Sequence, residues 1–377
     1  MRNRLMQFGE PAPWFAAPTA SNPAFHFDTV AGRYVLLMFF QSAARADSSL
    51  ILNELLQQRA KFDDDFVTFF GLSTDPLDQQ LGRVQEQVPG MRFYWDFDLS
   101  VSRLFGALQT DPATGAENYV CHTVLLDTRL RTLVVMPFDD PATYVARLLR
   151  MVESIPPLAQ PSLAGSQAPV LIVPRIFEPD FCQHLINQYE QHGGTESGFM
   201  REEGGKTVGA YDHGQKRRQD YEIQDEQLRR ACMARIHARL VPEVEKAFQF
   251  KATRMERYIV SCYDSSQGAH FRAHRDNTTK GTAHRKFAVS LVLNTGEFDG
   301  GFVWFPEYGR QLFTPPVGGA VVFSCSLLHE ATPVTRGKRY VFLPFLYDEA
   351  AARIREANLK FLAGDVNTPE QAQQTAG

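Results

Sequence analysis

Short apolar runs, separated by polar or glycine-containing turns, follow one another along most of the chain. In its first part, Tyr34–Phe40 and Phe66–Ser73 have the length and continuous apolar character of buried strands, and a helical stretch, Ser49–Phe62, lies between them. The runs His122–Asp127 and Thr132–Phe138 predict a hairpin. Strand, helix, strand and hairpin in this order predict an α/β domain with a mixed sheet.

The second part of the chain has a different pattern, in which helices come first and strands follow. Ile176–Gly193 and Asp225–Phe248 predict amphipathic helices. The β-rich runs after them are bounded by turns, which is typical of a sandwich or barrel. These runs are Arg254–Asp264, Lys286–Asn294, Gly300–Pro306, Gly318–Ser324 and Arg339–Tyr347.

The segment between the two parts is rich in Pro, Ser, Ala and Gly and carries no charge, as linkers do. We therefore predict a first domain over residues 1–153, a linker over 154–169, a second domain over 170–350, and a C-terminal helix with a polar tail over 351–377. A chain of 377 residues exceeds the roughly 250–300 residues at which single cores stop growing, so two cores are expected.

Composition narrows the class of protein. An apolar fraction of 44% and a net charge of −4 indicate a globular protein and favour no nucleic-acid partner. The five cysteines are widely spaced and form no CxxC pair, which favours reduced thiols over disulfides or zinc ligands. No run approaches the ~18 apolar residues of a membrane span, and the first residues lack the apolar core of a secretion signal. We expect a cytoplasmic protein without a membrane partner.

The first domain resembles the thioredoxin-like fold, and in particular the peroxiredoxin family, over nearly all of residues 1–153. The resemblance rests on GEPAPWF (Gly9–Phe15), the strand YVLLMFF, FVTFFGLSTD (Phe66–Asp75) and VCHTVLLD. A peroxiredoxin needs a reactive thiolate at the start of the helix after the first long strand. Here QSAARADSS (Gln41–Ser49) contains no cysteine, and the position of the family's arginine falls on Cys121. We expect a docking or dimerisation module rather than a peroxidase.

A candidate metal site lies in the stretch HFRAHRDN of the second domain. If His274 ends a strand, its side chain and that of Asp276 point to the same side, because side chains alternate along a strand. His329 supplies a second imidazole, expected on the opposite wall, which gives the two-histidine, one-carboxylate set of iron oxygenases. Arg339 follows ten residues later, and its guanidinium can pair with a carboxylate such as that of 2-oxoglutarate.

Arg254–Tyr347 resembles the 2-oxoglutarate- and Fe(II)-dependent dioxygenases of the prolyl 4-hydroxylase type. The motifs that carry this resemblance are CYD, HFRAHRD, EFDGGFVWFPE and HEATPVTRGKRY, and a looser likeness extends back to Pro169. It implies a double-stranded β-helix, or jelly-roll, core in an α+β domain. Together with the first domain, the predicted fold is therefore thioredoxin-like α/β followed by α+β.

The resemblance also implies roles for individual residues. His274, Asp276 and His329 would bind Fe(II), and Arg339 would hold the C5 carboxylate of 2-oxoglutarate. Tyr263 would lie in the pocket near this cosubstrate. In part of the family a tyrosine on the strand after the metal motif helps to bind the same carboxylate; the matching run here is SLVLN, in which Ser290 is the candidate to replace that contact.

Four further features have alternative interpretations. The stretch Gly198–Glu222 is either a lid over the substrate or a solvated connection, and its basic run, Lys216–Arg218, is interpreted as a solvated face. We interpret His270 and His284 as loop or supporting residues, because further histidine ligands would close the open metal positions. Cys325 is predicted to be a small core residue.

The expected function is hydroxylation of a C–H bond of a peptide or protein side chain, with proline as a candidate, using Fe(II), 2-oxoglutarate and O₂ and releasing succinate and CO₂. Ascorbate is a further candidate cofactor. Two alternatives remain open: a hydroxylase of a free amino acid or small metabolite, and a thiol-redox or binding protein whose oxygenase domain is secondary. A substrate is the only partner besides 2-oxoglutarate that the pattern indicates.

Overall fold

The computed structural model describes residues 3–362 and divides into two compact units, residues 1–162 (unit 1) and 163–377 (unit 2). The division falls within the segment predicted as a linker. The predicted polar tail, from residue 363 onward, lies outside the described residues. In residues 3–362, no helix combines the length and apolar character needed to cross a membrane.

Unit 1 is a mixed sheet with helices packed on it. Its strands are β1 (Ala16–Ala17), β2 (Phe25–His26), β3 (Tyr34–Gln41), β4 (Val67–Ser73), β5 (Met91–Trp95), β6 (Leu108–Thr110), β7 (Glu117–Tyr119), β8 (His122–Leu126) and β9 (Thr132–Pro137). Its helices are α1 (Ala46–Gln57), α2 (Pro76–Gln80), α3 (Ser100–Phe105) and α4 (Pro141–Ser154). The central sheet has the order β5-β4-β3-β8-β9, with β3, β4 and β5 parallel.

The continuous apolar run of β3 follows from its central place in this sheet. Alternate residues of β3 belong to two separate cores, one on each face: Leu36 and Met38 pack with α1 and α4, whereas Val35 and Leu37 pack with the first strands and Phe27. A strand covered on both faces needs apolar side chains at every position.

Unit 2 begins with helices and continues as strands. The helices are α5 (Pro179–His192), α6 (Glu226–Arg239), α7 (Val241–Phe248) and α8 (Glu349–Asn358). The strands are β10 (Leu171–Val173), β11 (Thr195–Glu196), β12 (Phe199–Glu203), β13 (Lys206–Ala210), β14 (Lys216–Arg217), β15 (Gln219–Glu222), β16 (Arg254–Glu256), β17 (Ile259–Asp264), β18 (His270–His274), β19 (Phe287–Val292), β20 (Asp299–Gly300), β21 (Val303–Trp304), β22 (Leu312–Phe313), β23 (Ala320–Ser324), β24 (His329–Ala331), β25 (Val334–Arg336), β26 (Lys338–Phe342) and β27 (Phe345–Tyr347).

Two antiparallel sheets face each other in unit 2. The larger has the order β10-β23-β19-β26-β17-β15-β11, with β27 beside β19, and the smaller has the order β14-β18-β24-β21-β22. On β19, Val289 and Leu291 pack against the helices, whereas Val292 lies between the sheets with Val341 of β26. This alternation leaves Ser290 facing the space between the sheets, where the candidate site lies.

Several predicted elements differ from the structure: α1 spans Ala46–Gln57 rather than the predicted Ser49–Phe62, and two further elements differ in kind. The helix predicted over Asp225–Phe248 is two helices, because Pro242 at the start of α7 has no N–H to continue α6 through Leu240. The stretch Gly198–Glu222, considered as an irregular connection, is strand-rich: β12 and β13 pair as a hairpin around Gly204 and Gly205, and β14 and β15 join the two sheets.

Limited proteolysis tests the division into two units. Residues 161–167, in the linker, are exposed and lie outside helices and strands, so elastase is expected to cut there first, near Ala164. Mass spectrometry of the early fragments should find one ending and one beginning in this segment, both resistant to further cleavage. First cleavage inside β3 or β19 would contradict the division.

Candidate metal and cosubstrate site

The three predicted metal ligands lie together on the smaller sheet. Among residues 3–362, His274, Asp276 and His329 form one group whose candidate ligand atoms all lie within 4.8 Å of one another. His274 ends β18, His329 begins β24, and the two are direct partners across these antiparallel strands. The second imidazole therefore comes from the neighbouring strand, and the expectation that it lies on the opposite wall is wrong.

Asp276 lies between the two imidazoles. Its Oδ1 is 3.5 Å from Nε2 of His274, and its Oδ2 is 3.4 Å from Nε2 of His329. The backbone holds it there, since the Asp276 N–H donates to the carbonyl of Cys325 at 3.0 Å. Although burial opposes ionisation, the flanking His329 and His274 rings hold the pKa of the Asp276 carboxyl well below its usual range.

The backbone also fixes which nitrogen each imidazole presents. Nδ1 of His274 lies 2.8 Å from the carbonyl of Arg272, and Nδ1 of His329 lies 3.0 Å from that of Leu327. An Nδ1–H that donates to a carbonyl leaves the Nε2 lone pair free for a metal. Burial lowers the pKa of His329 to about 4, so its ring is neutral at pH 7, as a ligand must be.

This donor set fits a divalent iron. Two imidazoles and one carboxylate on one side of an ion leave its other positions open, which is the arrangement of the non-haem Fe(II) oxygenases. Donors bound about 2.1 Å from one ion lie about 3 Å apart, so the observed separations need only a small contraction. The residues that would hold the iron are thus brought together and oriented by the fold.

A small cavity of about 70 Å³ adjoins the triad and contains the predicted cosubstrate residues. Arg339 is 2% exposed and donates from Nη2 to Oγ of Ser290 at 2.9 Å. Tyr263 is paired with Arg339 across β17 and β26, and the guanidinium carbon lies 5.1 Å from the centre of the Tyr263 ring. The structure therefore brings Arg339, Tyr263 and Ser290 to one wall of the cavity.

Arg339 reaches the interior because side chains alternate on β26. Its neighbour Tyr340 packs with the helices on the outer face, whereas Val341 shares the inner face with Arg339. Burial lowers the pKa of Arg339 to about 10, so it remains a cation at neutral pH. A buried guanidinium without a carboxylate partner is suited to binding a carboxylate ligand.

The interpretation of Lys216–Arg218 as a solvated basic face holds for Arg217, which is exposed, and is wrong for Lys216 and Arg218. Lys216 and Arg218 are 4% and 5% exposed, because β14 and β15 pair with β18 and β17. Arg218 donates to Asp220 at 2.7 Å and to the Tyr263 hydroxyl at 3.2 Å, and it lines the small cavity. The period-two spacing of Lys216, Arg218 and Asp220 is a strand signal that could have identified this inner face.

A second, larger cavity of about 430 Å³ also reaches two residues of the triad. His274 and Asp276 line both cavities. The β12–β13 hairpin contributes Phe199 and Met200 to the wall of the larger one. The hairpin is held through β13, where Oγ1 of Thr207 accepts a hydrogen bond from the Gly281 N–H at 2.9 Å. All three triad residues therefore line the small basic cavity, and two of them also line the large cavity, whose wall includes the hairpin.

The remaining predicted residues have structural roles. Both ring nitrogens of His270 contact backbone carbonyls, those of Gly268 at 2.8 Å and Gly214 at 3.2 Å. His284 pairs with Glu256 at 2.9 Å. Cys325 is fully buried in the core between the sheets.

Unit 1 has no cysteine at the start of α1, the position at which a peroxiredoxin needs its reactive thiol. The start of α1 carries Ser48, whose hydroxyl donates to the carbonyl of Phe40 at 2.7 Å. Cys121 is buried, and burial raises the pKa of its thiol to about 11, even though Arg45 opposes the shift. A thiol that is protonated at neutral pH is a poor nucleophile.

Comparison with protein families confirms both resemblances. Residues 258–347 match the family model described as the 2OG-Fe(II) oxygenase superfamily, and residues 8–145 match the AhpC/TSA family. The predicted fold class, thioredoxin-like followed by a double-stranded β-helix, is confirmed with them. The prediction of a 2-oxoglutarate-dependent dioxygenase domain is likewise confirmed at the level of the superfamily, whose chemistry implies Fe(II), 2-oxoglutarate and O₂.

Individual relatives cover only part of the chain. It is 27% identical over 119 residues to a PKHD-type hydroxylase of Synechococcus, covering 30% of this chain and 50% of the relative. It is 25% identical over 174 residues to the multifunctional procollagen lysine hydroxylase and glycosyltransferase of Rattus norvegicus, covering 44% and 22%. The chain thus spans half or less of the length of these curated relatives.

Among solved structures, the chain is similar to the prolyl hydroxylase of Trichoplax adhaerens in complex with a peptide fragment of hypoxia inducible factor. The sequence identity is 17%, the TM-score is 0.36, and the match covers 50% of this chain and 86% of that chain.

Gly301 offers a test of the Arg339 position. A Cβ at Gly301 would lie 2.7 Å from Cδ of Arg339, whereas a Cβ at Gly296 would meet nothing within 4 Å, and both residues have positive φ. Gly301→Ala should therefore displace the guanidinium and weaken 2-oxoglutarate binding about tenfold, or by about 1.4 kcal/mol. Gly296→Ala is the control, because it likewise introduces backbone strain at a positive φ but without a contact to Arg339. Calorimetry with Mn(II) in place of iron measures the two affinities; equal values would contradict the assignment.

Proposed function

We propose that the protein is an Fe(II)- and 2-oxoglutarate-dependent hydroxylase of a peptide or protein side chain, with proline as the first candidate. The observation that carries the proposal is that two residues of the triad, His274 and Asp276, line both cavities. The small cavity presents Arg339 for a dicarboxylate, and the large cavity admits a substrate to the same His274 and Asp276. A 2-oxoglutarate-dependent dioxygenase needs its cosubstrate and its substrate beside the same metal ion.

Individual residues of the chain would have the following roles. His274, Asp276 and His329 hold Fe(II), which with 2-oxoglutarate and O₂ supplies the oxidation that converts substrate C–H to C–OH and yields succinate and CO₂. Arg339 pairs with the C5 carboxylate, and Ser290 orients that guanidinium by accepting one of its hydrogen bonds. The Arg218 cation, beside Tyr263, adds positive charge to the same wall.

Apolar side chains would keep water away from the reacting atoms. The ring of Phe271 stacks on that of His274 with their centres 3.5 Å apart, and Phe323 lies 4.6 Å from His329. Both phenylalanines line the small cavity. Their packing also fixes the two imidazole planes, which supports a preorganised metal site.

The peptide substrate is supported by the β12–β13 hairpin in the wall of the large cavity. An extended chain can lie against this wall, where Phe199 and Met200 provide an apolar contact. Unit 1 would contribute docking or dimerisation, since it keeps its fold without a nucleophilic thiol.

Succinate formation tests the proposed function. With Fe(II) and 2-oxoglutarate, the wild type should release succinate, and a screen of proline-containing peptides should find products heavier by one oxygen. His329→Ala should lower succinate release at least about a hundredfold, because it removes a metal ligand. His184→Ala, on the exposed face of α5, is the matched control and should not change it.

The outcome that contradicts the proposal is also clear. Wild type that neither binds Fe(II) nor forms succinate, with or without candidate peptides, would exclude the hydroxylase. Equal succinate release from wild type and His329→Ala would show that the triad is not the reaction centre.

A further inference from the structure

The cations around the large cavity differ in how completely they are paired. Arg275 pairs with both carboxylate oxygens of Glu307, at 2.8 and 3.2 Å. Arg285 and Arg355 pair with Glu256 at 2.7 and 3.4 Å. Arg275 and Arg285 therefore use their charge within the protein, whereas Arg355 has only a contact of 3.4 Å, to a carboxylate that Arg285 already occupies.

Lys216 also uses its donors internally. Its Nζ donates to Oγ of Ser197 at 2.7 Å and to the carbonyl of Gly198 at 2.6 Å, and it lies 4.8 Å from the centre of the Phe271 ring. These contacts hold the base of the β12–β13 hairpin, which is a structural role.

Among the described residues, Arg257 is the weakly paired cation of the large cavity that also lines the small cavity, whereas Arg355 lines the large cavity alone. The shortest contact of Arg257 is a distance of 3.4 Å from Nη2 to Oδ2 of Asp220, longer than an ordinary charge-assisted hydrogen bond. Its side chain is 29% exposed, and it lines both the large and the small cavity. Most of the five guanidinium donors are therefore open to a ligand.

Asp220 does not require Arg257 as a partner. It accepts hydrogen bonds from Arg218 at 2.7 Å, from Ser197 at 2.5 Å and from Ser261 at 2.6 Å. These three contacts occupy three of the roughly four acceptor sites of the carboxylate. The hydrogen bond from Arg257, at 3.4 Å, is the longest of the four and engages one of the five guanidinium donors.

The backbone at Arg257 is also unusual. Its φ is +69°, in the left-handed region that non-glycine residues rarely adopt, and it interrupts the strand between β16 and β17. Arg257 lines the large cavity together with its neighbours Met255, Glu256, Tyr258 and Ile259. Non-glycine residues held in the left-handed region are frequent at functional sites.

The acidic side chains of the same wall leave a net positive charge at Arg257. Glu256 is paired with His284 and Arg285, and Glu222 lies 3.8 Å from Arg229. The third acid, Asp276, belongs to the metal site. The Arg257 guanidinium, whose one ion pair is the long contact with Asp220, presents a planar fork that matches a carboxylate in charge and shape, whereas a phosphate dianion would leave excess negative charge.

We propose that Arg257 binds a carboxylate of the substrate, so that the molecule hydroxylated by this protein carries a carboxylate near the attacked C–H bond. The inference rests on the proposed function and narrows its substrate class. Arg257 lines the cavity wall together with His274 and Asp276, so its ligand and the metal share one space. The carboxylate belongs to an acidic side chain of a peptide, to a peptide C-terminus or to a free amino acid.

Binding measurements with matched probes test this inference and separate the three sources. Protein loaded with Zn(II) and 2-oxoglutarate is titrated, by saturation-transfer NMR, with pairs that differ only in carboxylate against carboxamide. The pairs are proline-containing peptides with Glu or Gln, the same peptides with a free or an amidated C-terminus, and free L-amino acids or their amides. In at least one pair the carboxylate should bind about tenfold more tightly.

Variants assign this preference to Arg257. Arg257→Gln should reduce the preference to less than about twofold, and Arg257→Lys, which keeps the charge without the fork, should retain part of it. Arg254→Gln, on the same segment but paired with Glu349 outside the cavity, is the control and should leave the preference unchanged. Circular dichroism melting curves establish that each variant is folded.

Three results would overturn the inference. The first is that the carboxylate binds better in no pair, and the second is that the preference persists in Arg257→Gln. The third is a tenfold loss of 2-oxoglutarate affinity in Arg257→Gln, which would assign Arg257 to the cosubstrate. Calorimetry with Mn(II) gives that last affinity. A wild type that does not bind 2-oxoglutarate at all would contradict the proposed function, and the inference with it.

Discussion

The pairing of β18 with β24 is the interaction on which the candidate site depends. It sets His274 directly opposite His329, and the chain that continues from β18 then places Asp276 between their Nε2 atoms. Antiparallel pairing fixes this register through backbone hydrogen bonds, independently of any metal. A shift of one residue would turn one imidazole to the other face of the sheet and destroy the donor set.

The larger sheet supplies the second half of the site by the same rule of alternation. Residues at even spacing on β17, β19 and β26 face the interior, which brings Tyr263, Ser290 and Arg339 together although they are far apart in sequence. The opposite faces of these strands pack against α5, α6 and α7 and stabilise the sheet. Burial of Arg339 carries a desolvation cost, which a bound carboxylate would offset.

Much of this site could be predicted from the sequence because its residues stand in short motifs. His274 ends β18 with Asp276 two residues beyond it, and His329 on β24 is ten residues from Arg339 on β26, so each pair stays within one short stretch of sequence. Arg218 and Arg257 were not found, since their positions beside the small cavity depend on pairing between distant segments. A strand of two to four residues is too short to show the alternation of polar and apolar positions that identifies a strand. A residue in the left-handed conformation, such as Arg257, has no such sequence pattern at all.

Other differences between the predicted and the observed structure correspond to recognisable features of the sequence. Pro242 marks the break between α6 and α7, and the pair Gly204-Gly205 between charged residues marks the turn of the β12–β13 hairpin. In unit 1, the absence of cysteine from the loop before α1 was visible directly. The fate of Cys121 required the structure, because only packing raises the pKa of its thiol.

A crystal structure of the protein with Mn(II) and 2-oxoglutarate would test the central claim most directly. The account predicts one metal ion bonded to Nε2 of His274, a carboxylate oxygen of Asp276 and Nε2 of His329, with the far carboxylate of 2-oxoglutarate against Arg339. Metal bound through other residues, or a cosubstrate carboxylate that does not contact Arg339, would contradict it.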